Sequence, residues 1–365
     1  MTTPVVHLSQ RPTWYTRAEQ APASREPEHP CLHRDALAAW QHVRTEQILD
    51  HRHLLLADPQ SAPELVSYHL VGHSPYWQGW EKTAGVEPIW DGPVVYAPSA
   101  YAAYGGAGLT NPRSAEQTIR YGLDQAGSWN ARALVLPHLT PGPAQVASQA
   151  LTPDADIFTN YAYTAAVHPD GLSGHLSALP NRSAARSLSR AYRRGCEAGL
   201  TLHVLRGLDL ARELPRFVVL AQQVDAKHGT RKYGADVIKA LAAAPGAVLL
   251  AAVHEERMVG GFLAFAFRGR LYLSTSGIAY DQLTKLHTYE WLMGTSFEYA
   301  AAIGAHSLDG GRSNHRIKKR WGFNATELRT LVYLTRPNPA ATAALLRLGE
   351  GLAQAATDQV LGPYA

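Results

Sequence analysis

Cysteine is nearly absent from this 365-residue chain: Cys31 and Cys196 are far apart and form no CxxC pair. A disulfide scaffold and a cysteine-rich zinc site are thereby set aside. No run approaches the roughly 18 consecutive apolar residues of a membrane helix. The start, MTTPVVHLSQRPTWYTRAEQ, lacks a basic segment followed by an apolar core, so a cytoplasmic protein without a membrane span is expected. There is no GxSxG elbow and no HExxH pair, and Cys196 has no local histidine, which leaves nucleophilic hydrolase chemistry unsupported. His29-Pro-Cys31-Leu-His33 and the pair His69 and His73 lack a further ligand at fixed spacing, so no metal is expected.

What is present is a chain that is 46% hydrophobic, enough for two ordinary cores. Its net charge of +4 is unevenly spread. Arg182 to Arg329 holds 22 Lys and Arg against 12 Asp and Glu, so the remainder is acidic and the basic part should meet an anionic partner. A nucleic acid, a nucleotide-linked sugar or coenzyme A would each satisfy that charge.

The most ordered pattern lies between Ala247 and Phe323. Three apolar runs, Ala247–His254, Val259–Phe267 and Leu271–Ile278, are separated by Glu255-Glu256-Arg257 and Arg268-Gly269-Arg270, which is hairpin spacing. HTYEWLMGTSFEYAAAI then predicts a helix over 287–303, and AHSLDGG a short parallel strand before SNHRIKKRWGF. Earlier in the chain, residues 1–34 read as an extended arm on the surface. A helix is predicted over Asp35–Leu49 and another over Ser114–Trp129, with strands at 93–96, 133–137 and 161–167. After Pro339 an Ala/Leu helix closes the chain. These signals divide it into an arm (1–34), two α/β units (35–175 and 176–336) and a C-terminal helix (337–365).

Antiparallel strands followed by a helix and a parallel strand resemble the second half of a GNAT N-acyltransferase domain. Gly277-x-x-Tyr280-Asp281, Tyr289-Glu290, Gly304, Leu308-Asp309-Gly310-Gly311 and Lys318-x-x-x-Gly322-Phe323 look like the Fem-type branch of that superfamily. Pro98 to Gly108, with Tyr104, is similar to that branch's Tyr- and Gly-rich first-domain loop. The resemblance covers about residues 50–335. It implies an α/β fold of two tandem GNAT-like domains, each a mixed, mostly antiparallel sheet flanked by helices. It further implies an aminoacyltransferase that forms an amide by moving an aminoacyl group from aminoacyl-tRNA to a small amine or peptide. Peptide natural-product (antibiotic) biosynthesis or cell-wall precursor modification is the implied setting, for a monomer or weak dimer with no membrane partner. The rivals are an acyl-CoA or carrier-protein thioester enzyme and a non-catalytic RNA- or phosphate-binding module.

Coenzyme A is disfavoured by the strand-to-helix loop. Small residues there would expose backbone N–H groups to a pyrophosphate, yet the segment reads Gly277-Ile-Ala-Tyr-Asp-Gln-Leu-Thr-Lys. Arg182, Arg186, Arg190 and Arg193 recur on one face of a predicted helix, opposite Ala185, Leu188, Tyr192 and Cys196. Such a stripe suits a line of phosphates or is a solvated face. Lys318 matches by spacing the lysine that the Fem branch places near the acyl donor. Asp309 is the candidate for binding or deprotonating the acceptor amine, or else only shapes the turn before Gly310. Tyr289, Tyr280, His287 and Thr275 are polar candidates around them, with Arg312 and His315 as further basic groups. Trp77, in Ser74-Pro-Tyr-Trp-Gln-Gly-Trp80, either stacks on a planar acceptor or anchors the core.

Overall fold

The computed structural model describes residues 13–361 apart from 59, 60, 228 and 230; residues 1–12 and 362–365 of the predicted arm and tail lie outside the described residues. The first half runs β1 (Thr13–Tyr15), α1 (Arg34–Trp40), β2 (Ile48–Asp58), β3 (Ser61–Val71), α2 (Pro75–Ala84), β4 (Val94–Tyr96), α3 (Pro112–Ser128), β5 (Ala133–Leu139), α4 (Pro141–Ala150) and β6 (Ala155–Ala166). The second runs α5 (Gly171–Ala178), α6 (Arg182–Glu197), β7 (Thr201–Leu205), α7 (Gly207–Lys227), α8 (Ala235–Ala242), β8 (Ala247–His254), β9 (Arg257–Phe267) and β10 (Arg270–Ile278). It continues through α9 (Tyr280–Leu286), α10 (Thr288–Ala302), β11 (Ser307–Asp309), α11 (His315–Arg320), β12 (Asn324–Leu334) and α12 (Pro339–Leu361).

All twelve strands join one sheet in the order β1-β2-β3-β4-β5-β12-β6-β11-β10-β9-β8-β7. Neighbours are antiparallel except β4 with β5 and β10 with β11. The two halves interlock, because β12 from late in the chain lies between β5 and β6, while β6 pairs on its other side with β11. The β8–β9–β10 hairpins fall where the polar breaks place them. Their near-continuous apolar runs reflect burial on both faces: Leu249 and Ala251 face one core, Val248, Leu250 and Ala252 the other. On one face α2, α7, α8 and α12 cover a core that spans both halves. Opposite them lie α3 and α4 on the first half and α5, α6 and α10 on the second.

Two expectations need correction. The helix predicted over Asp35–Leu49 ends at Trp40, and β2 begins at Ile48. The apolar residues beyond Trp40 serve the core without helical repeat, and Trp40 Nε1 instead donates to the buried Glu46 carboxylate at 3.0 Å. Residues 13–34 are not a surface arm either. Thr13–Tyr15 pair with β2, Ala18, Ala21 and Leu32 are buried, and His29 packs against the Tyr272 and Tyr104 rings.

The parallel pair β10–β11 determines where a site forms. Its register runs only over Arg270–Tyr272 against Ser307–Asp309, so beyond Tyr272 β10 loses this neighbour and the sheet opens. A register shift between Leu273 and Thr275 leaves Ser274 without a partner in the ladder. Gly311, at φ +71°, passes so close to β10 that a Cβ there would meet the Leu273 carbonyl oxygen at 2.7 Å. Only glycine turns the chain away from the sheet at this point without displacing β10.

Candidate active site

The opening in the sheet is the floor of a cavity of about 570 Å³ built by both halves. The β10 residues Leu273–Ser276 and the turn Gly310–His315 form one side. Phe158–Asn160 of β6, Tyr76 and Trp80 of α2, Asp225 of α7 and Tyr289 of α10 form others, with α12 along the edge. Five predicted site residues meet here: Lys318, Tyr289, Thr275, Arg312 and His315.

Lys318 is the unusual member. It sits on the short helix α11 and is 2% exposed. Its ammonium donates to the Arg312 carbonyl oxygen at 2.6 Å and lies 5.4 Å from the Tyr163 ring centroid. Burial, with the Arg312 guanidinium adding to it, pulls the amine down to about 7, against the opposing pull of the Asp309 carboxylate. A lysine in that range exchanges a proton near neutrality, which an exposed lysine does not. His315, whose Nδ1 is 3.0 Å from the Tyr163 hydroxyl, is lowered to about 4 by burial and by Lys318 and Lys319. It is therefore neutral beside the lysine. Tyr289 receives a long hydrogen bond from Asn314 Nδ2 at 3.5 Å, and burial pushes its hydroxyl up to about 12.

Asp309 lies behind the floor rather than on it. It borders a small void of about 30 Å³ that shares Tyr233, Thr275, Gly311 and Arg312 with the main cavity. One carboxylate oxygen accepts from the Tyr104 hydroxyl at 2.5 Å and the other from the Gly311 N–H at 2.7 Å. Burial raises its pKa, and the hydrogen bonds from Tyr104 and Gly311 and the Lys318 charge oppose that rise. Asp309 thus shapes the glycine turn and also supplies the opposing charge that Lys318 feels. Tyr104 joins the site through this bond, although 205 positions separate it from Asp309.

Other candidates lie elsewhere. Trp77 is 2% exposed, packs on Trp80, Trp90 and Tyr96, and donates to Glu81 Oε1 at 2.8 Å, so it anchors the core; its neighbours Tyr76 and Trp80 reach the cavity. Tyr280 takes the Lys227 ammonium over its ring at 4.0 Å, and His287 occupies the left-handed junction between α9 and α10; neither lines the cavity. Arg182, Arg186, Arg190 and Arg193 form an exposed face of α6 outside the cavity. Cys196, read on the face opposite the arginines, is exposed, because α6 packs through Ala185, Leu188 and Gly195, the last against Trp291. An Arg320–Ser187 hydrogen bond joins this helix to α11, so the basic stripe adjoins the helix that carries Lys318.

Sequence reasoning passed over Asp225 and Lys232, both on the cavity wall. Asp225 had a readable signal: it follows Phe217 and Ala221 at four-residue steps, a carboxylate on the buried face of α7. Its Oδ2 accepts the Tyr233 N–H at 2.6 Å.

Residues 182–319 match the acetyltransferase (GNAT) domain family. No curated protein sequence matches the chain. Among solved structures, the C-terminal domain of a protein described as a lysylphosphatidylglycerol synthetase from Agrobacterium fabrum is similar at TM-score 0.56 and 12% identity, over 85% of this chain and 90% of that one. FemX is similar at TM-score 0.54 and 12% identity, over 81% and 90%. L-PGS from Bacillus licheniformis follows at 0.51 and 13%, over 81% and 89%.

Proposed function

We propose that this chain, whose residues 182–319 match the acetyltransferase (GNAT) domain family and whose fold is similar to that of FemX, transfers an aminoacyl group from aminoacyl-tRNA to the amine of a small molecule or peptide. The observation that carries the reading is the buried, near-neutral Lys318 on the wall of a cavity beside the basic face of α6. An aminoacyl ester is already activated, so alignment and one proton acceptor are sufficient chemistry. The acceptor nitrogen attacks the ester carbonyl carbon, and a C–N bond forms. Neutral Lys318 takes the proton that the nitrogen sheds. Collapse of the tetrahedral oxyanion breaks the C–O bond, and the lysine returns the proton to the departing 3′ oxygen. Ser274, outside the strand ladder at the cavity wall, is the candidate for holding the oxyanion. Asp309 is a positioning residue that fixes the Gly311 turn and tunes Lys318. The resemblance of Leu308-Asp309-Gly310-Gly311 and Lys318-x-x-x-Gly322-Phe323 to the Fem-type branch and the lack of glycines after β10 support tRNA over coenzyme A as donor.

Purified protein incubated with a pool of charged tRNAs and amine acceptors, with and without RNase, tests this directly. Amide products that vanish with RNase are expected. Products that persist, or tight coenzyme A binding by calorimetry, would move the donor to a thioester.

Reversing charge with Arg186→Glu and Arg190→Glu together should raise the KM for tRNA by about tenfold at low salt and leave kcat nearly unchanged, since these exposed groups meet phosphates and not the reacting atoms. The difference should shrink as salt rises. Unchanged KM at low salt would assign the stripe to solvation alone.

A further inference from the structure

The cavity has a second cationic group, apart from Lys318. The Lys232 ammonium lies 4.7 Å and the Arg312 guanidinium carbon 4.9 Å from the centroid of the same ring, Tyr76. The ring is buried and lines the cavity with both cations. Among the described residues neither cation is ion-paired with a carboxylate. Two like charges converging on one half-enclosed ring repel one another, and an anion between them relieves that repulsion.

Each cation is held in place by the fold. Lys232 belongs to the loop before α8, whose backbone is tied down by the Tyr101 hydroxyl donating to the Lys232 carbonyl oxygen at 2.8 Å. Its side chain reaches Tyr76 across Gly79 of α2, where a Cβ would meet the Lys232 Cε at 2.7 Å. A glycine inside a helix costs stability relative to alanine, and here it makes room for the lysine. Arg312 spends Nη1 on the Ala102 carbonyl and on His138, and one Nη2 hydrogen on the Tyr101 carbonyl at 3.4 Å. Its Nε–H and second Nη2–H make no hydrogen bond to the described residues. Free N–H groups on a planar guanidinium are donors suited to a carboxylate.

We propose that Lys232 and Arg312, over Tyr76, form a carboxylate subsite, so that the acyl acceptor is an amino acid or short peptide bound by its free carboxylate. The proposal rests on the reading of this cavity as the acyl-acceptor site. Lys318 donates to the backbone carbonyl oxygen of Arg312, whose guanidinium belongs to the anion subsite, and both groups line the same cavity. One small zwitterion can offer its amine to the first and its carboxylate to the second.

The test uses the full chain, with glycylglycine, glycylglycinamide and inorganic phosphate as probes in calorimetry. Glycylglycine should bind about tenfold more tightly than its amide, which retains the amine and loses only the negative charge. Lys232→Gln should abolish that preference and Lys232→Arg should keep it, with thermal denaturation confirming that both variants fold. Equal binding of acid and amide, or no binding of either, overturns the subsite, as does a preference that survives Lys232→Gln. Phosphate binding more tightly than the acid would instead assign the two cations to a phosphate of the donor. A parallel transfer assay separates this proposal from the reading beneath it. Transfer from charged tRNA to acid and amide alike removes the subsite alone, whereas acid-selective binding without any transfer removes the donor assignment alone.

Discussion

Lys318→Met should slow aminoacyl transfer by about two orders of magnitude or more, the usual worth of a positioned proton acceptor. Methionine fills most of the buried space and cannot take a proton, so the loss should fall on kcat with little change in KM for tRNA. The pH profile is the sharper readout. With the amine held down to about 7, the wild-type rate should rise with pH through that value as Lys318 becomes neutral, and the variant should lose this limb. Stability follows the same titration. The folded pKa lies below the ordinary 10.5, so the unfolded chain binds the extra proton between those values. Below about 7 the native state bears the full cost of a buried ammonium, and from there to 10.5 that cost is progressively relieved, by about 1.4 kcal/mol for each pKa unit of displacement. Relative to Lys318→Met, the wild type should therefore gain stability as pH rises across this window, as chemical denaturation at several pH values would show. A variant with wild-type kcat and an unchanged limb would remove Lys318 from the chemistry.

The parts of this molecule that were readable in the sequence are those fixed by local pattern. The three hairpin strands from Ala247 to Ile278 and the helix after them carry their periodicity in contiguous residues, and the Asp309-Gly310-Gly311 turn marks where the sheet opens. What was hidden is non-local. Nothing in NATELRTLVYL states that this strand inserts between β5 and β6, because both neighbours lie more than 150 positions earlier. The same folding-over brings Tyr104 to Asp309 and Tyr76 to Arg312. Trp77 and Tyr76 illustrate the limit from the other side: adjacent aromatics on one helix turn, of which the first is core and the second reaches the cavity. Composition cannot separate them, since about 100° of helix rotation decides which faces the opening. Charge was only partly legible. The Arg182–Arg193 stripe was visible as a pattern, but the depth of Lys318 was not, since Lys-Lys-Arg reads as surface until α11 turns its first lysine inward.

Asp309→Asn separates a turn-forming role from an electrostatic one. Asparagine keeps an oxygen to accept the Gly311 N–H and an amide to meet the Tyr104 hydroxyl, so the fold should hold. What disappears is the negative charge that props up the Lys318 pKa against burial and Arg312. Without it the ammonium is less stable, so the limb of the rate profile should move to lower pH. A less basic lysine is also a weaker proton acceptor, and the rate on the high-pH plateau should fall by about tenfold. The KM for the acceptor should change little, because Asp309 borders the void behind the floor and not the main cavity. If the limb stays where it is while the plateau drops, Asp309 acts only through the geometry of the Gly310–Gly311 turn. If neither changes, the carboxylate has no part in the reaction, and the Tyr104–Asp309 bond is a structural tie between the two halves of the chain.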